Sequence, residues 1–417
     1  MKHLLTKINS HIVEHVRKGY HWSLPRIGAV LYGNPAQHIT VIAVTGTKGK
    51  SSTTELIASI LRAHGEKVAV TNSVRFVIGD TVLSNTMRMS MPGRFFLQKF
   101  LSDARTAGCT YAVIEATSEG ARYFRHHALQ LNALVFTNLA PEHIDSHGSF
   151  EAYKNAKLSI ARELTRSPER PRIMVVNGDD AHANDFLDFP TEITRTYSLK
   201  TIGTYEADDC HSSFTHKGVR VESQLPGAFN LYNILAATEL ADALGIPPET
   251  IGKGIADVKE IAGRAQFVRE GQNFDVVVDY AHTVESLEAL YTAFEPRRKI
   301  AVLGATGGGR DKSKRPRMGA MAEKHCDVVI LTDEDPYDEN PEEIVAQVAT
   351  GLHKKPIVIM NRREAITHAL TLAKPHDVIL ITGKGTDPCI CRANGEKEPW
   401  SDYAVAQAAL KEFLNIV

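Results

Sequence analysis

Short apolar runs separated by longer helical patterns set the first limit on what this chain can fold into. The runs lie at 39–44, 111–116, 133–137, 173–176, 274–279, 299–304, 328–332, 357–360 and 378–382, and are apolar nearly throughout rather than alternating. A strand that is apolar on both faces must be covered on both, as in a parallel sheet sandwiched by helices. Strands joined through helices close as right-handed crossovers. The pattern therefore predicts an α/β fold with mainly parallel sheets. Ligands of such sheets sit beyond the carboxyl ends of the strands, and the polar motifs of this sequence follow those runs.

At 417 residues and ~150 residues per domain, two or three domains are expected. Residues 1–38 read as a leader, helical and then irregular, with Pro25, Gly33 and Pro35 interrupting the pattern. A second break falls at Ile261-Ala262-Gly263-Arg264. It follows a helical stretch over 230–244 that ends at Gly245, Pro247 and Pro248. The expected division is a leader (1–38), a central α/β domain (39–262) and a second, Rossmann-like α/β domain (263–417). Lys plus Arg number 48 against 49 Asp plus Glu, so no overall field recruits nucleic acid or an anionic membrane. The five cysteines are scattered apart from Cys389-Ile390-Cys391, which lacks the second pair a zinc site needs. There is neither a signal-like start nor a run of ~20 apolar residues that would span a bilayer. A cytoplasmic location is expected.

Residues 45–51, Thr45-Gly46-Thr47-Lys48-Gly49-Lys50-Ser51, join the first run to a helical pattern over 51–64. Gly46 and Gly49 let backbone amides approach an anion, and the helix N-terminus adds partial positive charge. Lys50 would reach the β- and γ-phosphates of a nucleotide, and the Ser51 hydroxyl would meet Mg²⁺. The usual first glycine would fall at position 44, which is Val44. Glu115, at a strand end, and His143, in a later loop, are suitable metal ligands; alone, such residues are more often solvated or capping.

The loop is similar to that of the Mur ligases and their relatives, which include folylpolyglutamate and cyanophycin synthetases. Further motifs resemble the family in its own order: Glu115-Ala116-Thr117-Ser118, Thr137-Asn138-Leu139-Ala140-Pro141-Glu142-His143, Tyr153-Lys154-Asn155-Ala156-Lys157, Asn230-Leu231-Tyr232-Asn233, Gly263-Arg264, Asp279-Tyr280-Ala281-His282, Gly309-Arg310-Asp311-Lys312 and Gly383-Lys384-Gly385. The resemblance implies an ATP-dependent ligase that joins a carboxylate to an amine through an acyl phosphate, adding the third residue of a peptidoglycan stem peptide. It implies that Gly46, Thr47, Lys48, Gly49, Lys50, Ser51 and Ser52 hold ATP. Ser51 and Glu115 would bind one Mg²⁺, and His143 with a CO₂-carbamylated Lys157 a second. Lys50, Lys157 and His143 would carry the catalysis. Arg264 and Asp279 would meet the phosphates and ribose once the domains close, and Lys312 belongs to the same half. Asn230 and Asn233 would contact the base, although Asn230 also suits a helix cap. His282 reads equally as a nucleotide contact or as packing in its turn.

Thr117, Ser118 and Arg125 match acceptor-binding positions, with Glu119 where the family commonly has histidine. Asp335-Pro336-Tyr337 matches a motif that ends in arginine when the added residue is diaminopimelate, and Tyr337 cannot make that ion pair. The acidic run Asp333, Glu334, Asp335, Asp338 and Glu339 suits a cationic side chain such as lysine, or is a solvated loop. Gly383 and Asp387 fall where the family contacts the incoming amino acid. Relatives usually carry an N-terminal domain that holds the acceptor's uridine nucleotide, whereas 38 residues precede the first run here. The acceptor is then held differently, or with a partner. A ligase acting on a folate, polyamino-acid or pseudomurein acceptor is the neighbouring reading. A P-loop ATPase without ligase chemistry, which would turn over ATP with no acceptor, is the remaining one. A monomer is expected, with small molecules as its substrates.

Overall fold

The computed structural model describes residues 2–93, 95–142 and 144–414. The chain divides into two compact units. One comprises Met1–Tyr205, Phe214–Glu222 and Tyr232–Asp257; the other comprises Glu206–Ser213, Ser223–Leu231 and Val258–Val417.

The first unit is built on an eight-stranded sheet of β1 (Thr40–Thr45), β2 (Val68–Thr71), β3 (Arg75–Ile78), β4 (Thr81–Ser84), β5 (Tyr111–Glu115), β6 (Ala133–Phe136), β7 (Ile173–Asn177) and β8 (Ile193–Tyr197). Its order is β4-β3-β2-β5-β1-β6-β7-β8. Every pairing from β2 to β8 is parallel, and only β3 and β4 run antiparallel, at one edge. Among the described residues, the α-helices up to residue 243 are α1 (Lys2–Leu31), α2 (Lys50–Ala63), α3 (Phe96–Thr106), α4 (Ser118–Arg122), α5 (Ile144–His147), α6 (Phe150–Arg166), α7 (Ala183–Leu187) and α8 (Ala228–Ala243). Val41, Ile42, Ala43 and Val44 of β1 are buried on both faces of the strand, as its uninterrupted apolar run requires. In α2, Leu56, Ile57, Ile60 and Leu61 form the buried stripe, with Gly65 following at φ 92°. Strand β1 lies between β5 and β6, in register Val44↔Glu115 and Thr45↔Phe136. The three segments that leave these strands thus begin side by side.

Two expectations change. The leader is a continuous helix to Leu31 that passes through Pro25, although proline removes one ladder bond and crowds the preceding turn. Pro25 is buried, so packing holds a helix that local preference would interrupt. The β3–β4 hairpin has no counterpart among the expected strands, because β4 is exposed at every residue and carries no apolar run. A three-stranded sheet, β9 (Tyr205–Ala207), β10 (Ser212–His216) and β11 (Val219–Ser223), has the order β11-β10-β9.

The second unit has a six-stranded sheet of β12 (Gln266–Val268), β13 (Asp275–Asp279), β14 (Lys299–Leu303), β15 (Val328–Leu331), β16 (Ile357–Val358) and β17 (Val378–Thr382). Its order is β12-β13-β17-β14-β15-β16, parallel except for β12. Successive residues of a strand point to opposite faces, and two cores follow from that. Val277, Ala301, Leu303, Leu331 and Leu380 join Leu287, Leu290, Met318 and Val345 on one side. Val276, Val278, Ile300, Ile330, Ile379 and Ile381 join Ile366, Ala406 and Leu410 on the other. The Cys-x-Cys forms β18 (Cys389–Cys391), paired with β19 (Lys397–Pro399), and both cysteines are buried.

Candidate functional site

Between β1 and α2 the chain turns on Gly46 (φ 151°) and Gly49 (φ 82°). A Cβ at Gly46 would stand 1.9 Å from Thr137 Oγ1, and one at Gly49 2.2 Å from Asn233 Oδ1. Neither position accepts a side chain. The amide of Thr47 donates to Asn138 O and that of Lys48 to Asn138 Oδ1, each at 2.8 Å. Thr137 Oγ1 donates to Lys48 O at 2.7 Å. These two amides therefore turn toward the segment after β6 rather than outward. Thr47 Oγ1 lies 2.9 Å from Tyr153 OH and accepts from the Ala140 amide at 3.0 Å. Ser52 is buried in the first turn of α2, and Lys48 pairs with Glu142 at 2.8 Å.

Beside the loop, Ser51 Oγ donates to Glu115 Oε2 at 2.8 Å and lies 2.7 Å from Ser73 Oγ. Glu115 also accepts from the Ser73 amide at 3.0 Å and from Ser90 Oγ at 2.9 Å. Hydroxyl and carboxylate oxygens are the donors a hard dication prefers, and the two residues named for Mg²⁺ are already in contact. Lys50 Nζ donates to Thr47 O at 2.8 Å. Lys157, on α6, is 1% exposed and donates to Gly46 O at 2.5 Å. Burial, and then the Lys50 charge, push its amine well below the ordinary lysine range. His143 lies outside the described residues. Ser73, Ser90, Thr137, Asn138 and Tyr153 complete the site without having been assigned a role. Thr137, Asn138 and Tyr153 lie inside family-like motifs, whereas Ser73 and Ser90 flank the unexpected hairpin and carry no sequence signal.

Thr117 caps α4, accepting from the Gly120 amide at 3.0 Å, and Ser118 Oγ lies 3.2 Å from His147 Nε2. Glu119 faces His147 at 3.5 Å. Arg125 donates to Met91 O at 2.6 Å. With Tyr20, His21, Met87, Met89 and Tyr123 it lines a cavity of about 600 Å³. Asn233 Oδ1 accepts from Thr53 Oγ1 at 3.4 Å, which sets it against the phosphate-type loop. Asn230 is not the cap of α8: that helix starts at Ala228, and Asn230 Nδ2 donates back to Pro226 O at 2.9 Å.

In the second unit, Asp279 ends β13 and accepts from the amides of Ala265 and Ala281, each at 2.6 Å. The Arg264 guanidinium lies 4.7 Å from the Tyr280 ring centroid, and His282 Nδ1 lies 2.7 Å from Tyr280 O. Arg264, Asp279 and His282 therefore gather around one turn. Lys312 pairs with Glu339 at 3.0 Å. The acidic run is not a solvated loop at Asp333, Glu334 and Asp335, which are 8%, 2% and 3% exposed. Asp333 pairs with Arg392, and Asp335 accepts from Lys384 Nζ and the Cys391 amide, each at 2.7 Å. Asp387 lies 3.5 Å from Lys384. A Cβ on Gly383 would meet Glu334 Oε2 at 2.3 Å. Tyr337 adopts φ 52° and donates its amide to Cys391 O at 3.0 Å. Sequence reasoning assigned no role to Lys384, inside a family-like motif, and did not single out Arg362 or Arg392; the buried carboxylates they reach, Asp335, Asp402 and Asp333, lie 40 to 59 positions away.

The sequence pattern of the Mur ligase middle domain matches residues 44–241, and that of the Mur ligase glutamate ligase domain matches residues 263–385. The UDP-N-acetylmuramoyl-L-alanyl-D-glutamate–2,6-diaminopimelate ligase of Geobacillus kaustophilus is 36% identical, over 91% of this chain and 81% of the relative. The UDP-N-acetylmuramyl-tripeptide synthetase of a Roseiflexus species is 36% identical over 94% and 82%. A solved structure of a UDP-N-acetylmuramoyl-L-alanyl-D-glutamate–2,6-diaminopimelate ligase superposes with a TM-score of 0.65 at 28% identity, covering 94% of this chain and 83% of that one. With a parallel-sheet unit carrying the phosphate-type loop and a second α/β unit following it in sequence, the chain belongs to the Mur ligase family, ATP- and Mg²⁺-using enzymes that form amide bonds.

Proposed function

We propose that this enzyme adds the third amino acid of the stem peptide to the free carboxylate of a muramoyl-dipeptide. The reaction has two steps. The acceptor carboxylate attacks the γ-phosphorus of ATP, forming an acyl phosphate and releasing ADP. The amine of the incoming amino acid then attacks the acyl carbon and expels phosphate. Attack by one anion on another requires charge neutralisation in the transition state. Lys50 leaves Thr47 O to meet the β- and γ-phosphates, and the helix end of the loop, from Gly49 on, receives the anion. Ser51 and Glu115 would hold one Mg²⁺, which supplies further neutralisation when bound.

The observation that carries this reading is Lys157, buried against the loop at Gly46 O. Burial there favours the neutral amine, which is the nucleophilic form of lysine. Its neutral nitrogen can bond to CO₂ with loss of a proton, giving a carbamate anion in place of the amine. With His143, that anion would hold a second Mg²⁺. The cavity beside Arg125 supports entry of the acceptor on the α1 side of the first unit. Arg264, Asp279 and His282 would serve ATP, Asn233 its base, and Gly383 and Asp387 the amino acid. Two matched relatives act, by name, on diaminopimelate or as tripeptide synthetases. Tyr337 in place of arginine argues against diaminopimelate here, and the pairing of Asp333 and Asp335 removes much of the charge that would favour lysine.

The test is phosphate release from ATP with UDP-N-acetylmuramoyl-dipeptide and lysine, ornithine or diaminopimelate in turn. Release is expected only with acceptor and one amino acid together. ATP turnover at full rate without acceptor would overturn the ligase chemistry. Turnover with a different carboxylate acceptor in place of this one would overturn the acceptor.

A further inference from the structure

Helix α1 is two-sided in an unusual way. Its inner side is small or polar: Pro25, Gly28 and Ala29 are buried, and a Cβ on Gly28 would stand 2.8 Å from the Phe95 ring. Arg26 Nη1 reaches His127 Nδ1 at 2.8 Å, and the His21 and Tyr123 rings lie 4.9 Å apart. These contacts fasten the helix to the first unit. The opposite side is apolar and open. Val16, Tyr20, Ile27, Val30 and Leu31 are 67%, 54%, 48%, 72% and 67% exposed. At about 100° per residue they share an arc of roughly 100°. A helix that only closed a soluble core would bury those residues; exposed apolar residues gathered on one arc, with Ser23 the polar member among them, mark a surface that meets something apolar.

Charge identifies the partner. The first 34 residues hold Lys2, Lys7, Arg17, Lys18 and Arg26 against Glu14, a net charge of +4, whereas the other 383 residues carry 43 basic and 48 acidic side chains, a net −5. The near-neutral total conceals this segregation. Trp22 is 47% exposed, with the Arg26 guanidinium 3.9 Å from its ring centroid. No helix among the described residues is long and apolar enough to cross a bilayer. An apolar stripe with basic flanks and exposed aromatic rings is the pattern of a helix lying in the plane of an anionic membrane surface. A second copy fits less well, because pairing two leaders would press like charges together.

We propose that α1 docks this enzyme peripherally on bilayers containing anionic lipid, through Val16, Tyr20, Ile27, Val30 and Leu31. The same helix lines the cavity beside Arg125 through Tyr20, His21 and Leu24, so docking would hold that cavity at the membrane surface.

The full chain is floated with phosphatidylcholine vesicles, with or without about one-third phosphatidylglycerol. At least tenfold more protein is expected on the anionic vesicles, falling as salt rises. Trp22 emission should shift to the blue in a Trp400→Phe background. The triple variant Val16→Asp, Ile27→Asp, Val30→Asp should lose binding while keeping the wild-type melting temperature and ATP-dependent phosphate release. Arg17→Glu with Lys18→Glu should abolish the preference for anionic lipid. No binding by the wild type, equal binding to both vesicles, or a dimer that the triple variant turns into a monomer would each overturn the proposal. The wild-type flotation and fluorescence stand even if a variant fails to fold.

Discussion

Lys157 and Lys384 are buried alike, at 1% and 0% exposure, and their surroundings differ completely. Lys384 lies between two carboxylates, Asp335 at 2.7 Å and Asp387 at 3.5 Å. Lys157 donates to a backbone carbonyl, stacks 4.8 Å from the Tyr153 ring centroid and feels the Lys50 charge. Among the described residues it makes no ion pair. A buried charge is tolerated when it is paired and otherwise neutralises itself. The first arrangement makes a strut; the second makes a base or nucleophile. Depth alone does not separate structural from chemical lysines, whereas the atoms within hydrogen-bond reach do.

Lys157→Ala should have the largest effect. Loss of the carbamate-forming amine should lower kcat by about 10²- to 10³-fold, the scale of losing one charge-stabilising group, with little change in melting temperature. Removing CO₂ and bicarbonate should slow the wild type and leave the variant unaffected. A variant that turns over at the wild-type rate would make Lys157 another strut. Lys384→Met reverses the pattern. It takes the ammonium from the buried Asp335 carboxylate, which costs about 3–5 kcal/mol and should appear as a large drop in melting temperature. Adding Asp335→Leu should recover part of it. Equal stability of the single variant and the wild type would erase the contrast from the other side.

One half of this contrast is legible in the sequence. The loop, β1, β5, β6 and the helix carrying Lys157 are contiguous segments with strong patterns, and the distance from Lys157 to the loop follows once those strands pair. The Lys384–Asp335 bond spans 49 positions, and the acidic run around Asp335 looks solvated until its basic partners are located. Ser73 and Ser90 are invisible for a related reason: they are aimed by a half-exposed hairpin whose residues show no period. The leader departs from expectation differently. A proline rule that is sound for an isolated helix is outweighed by burial of Pro25, and that long helix carries the exposed stripe on its far side.

A milder test uses a second kind of buried base. Burial, and then His127, hold His126 at about 3; burial, and then Arg26, hold His127 at about 4. Glu163 Oε2 lies 3.9 Å from His127. Both imidazoles sit below the ordinary value of 6.5, so the unfolded chain takes up protons first as pH falls. Their contribution to stability is complete above a pH of about 6.5 and is lost as pH falls toward about 4 for His127 and about 3 for His126, each tenfold difference in proton affinity between the folded and unfolded chain being worth ~1.4 kcal/mol. His127→Gln should flatten this acid limb of the melting-temperature profile. An unchanged profile would mean that the ring is not held neutral, and would weaken the analogy with Lys157.

The smallest effect is expected at Asp387, the outer partner of Lys384. Its side chain is 17% exposed and stands at 3.5 Å, whereas Asp335 is 4% exposed and stands at 2.7 Å. Asp387→Asn keeps the backbone turn in which the residue 387 amide donates to Lys384 O at 2.8 Å. With Asp335 still in place, losing the outer charge should cost at most ~1 kcal/mol. If the carboxylate also meets the incoming amino acid, the KM for that substrate should rise while the KM for ATP and the melting temperature stay where they were. A fallen melting temperature with an unchanged KM would make Asp387 a second strut, and would leave the amino-acid contact to Gly383 and its neighbours.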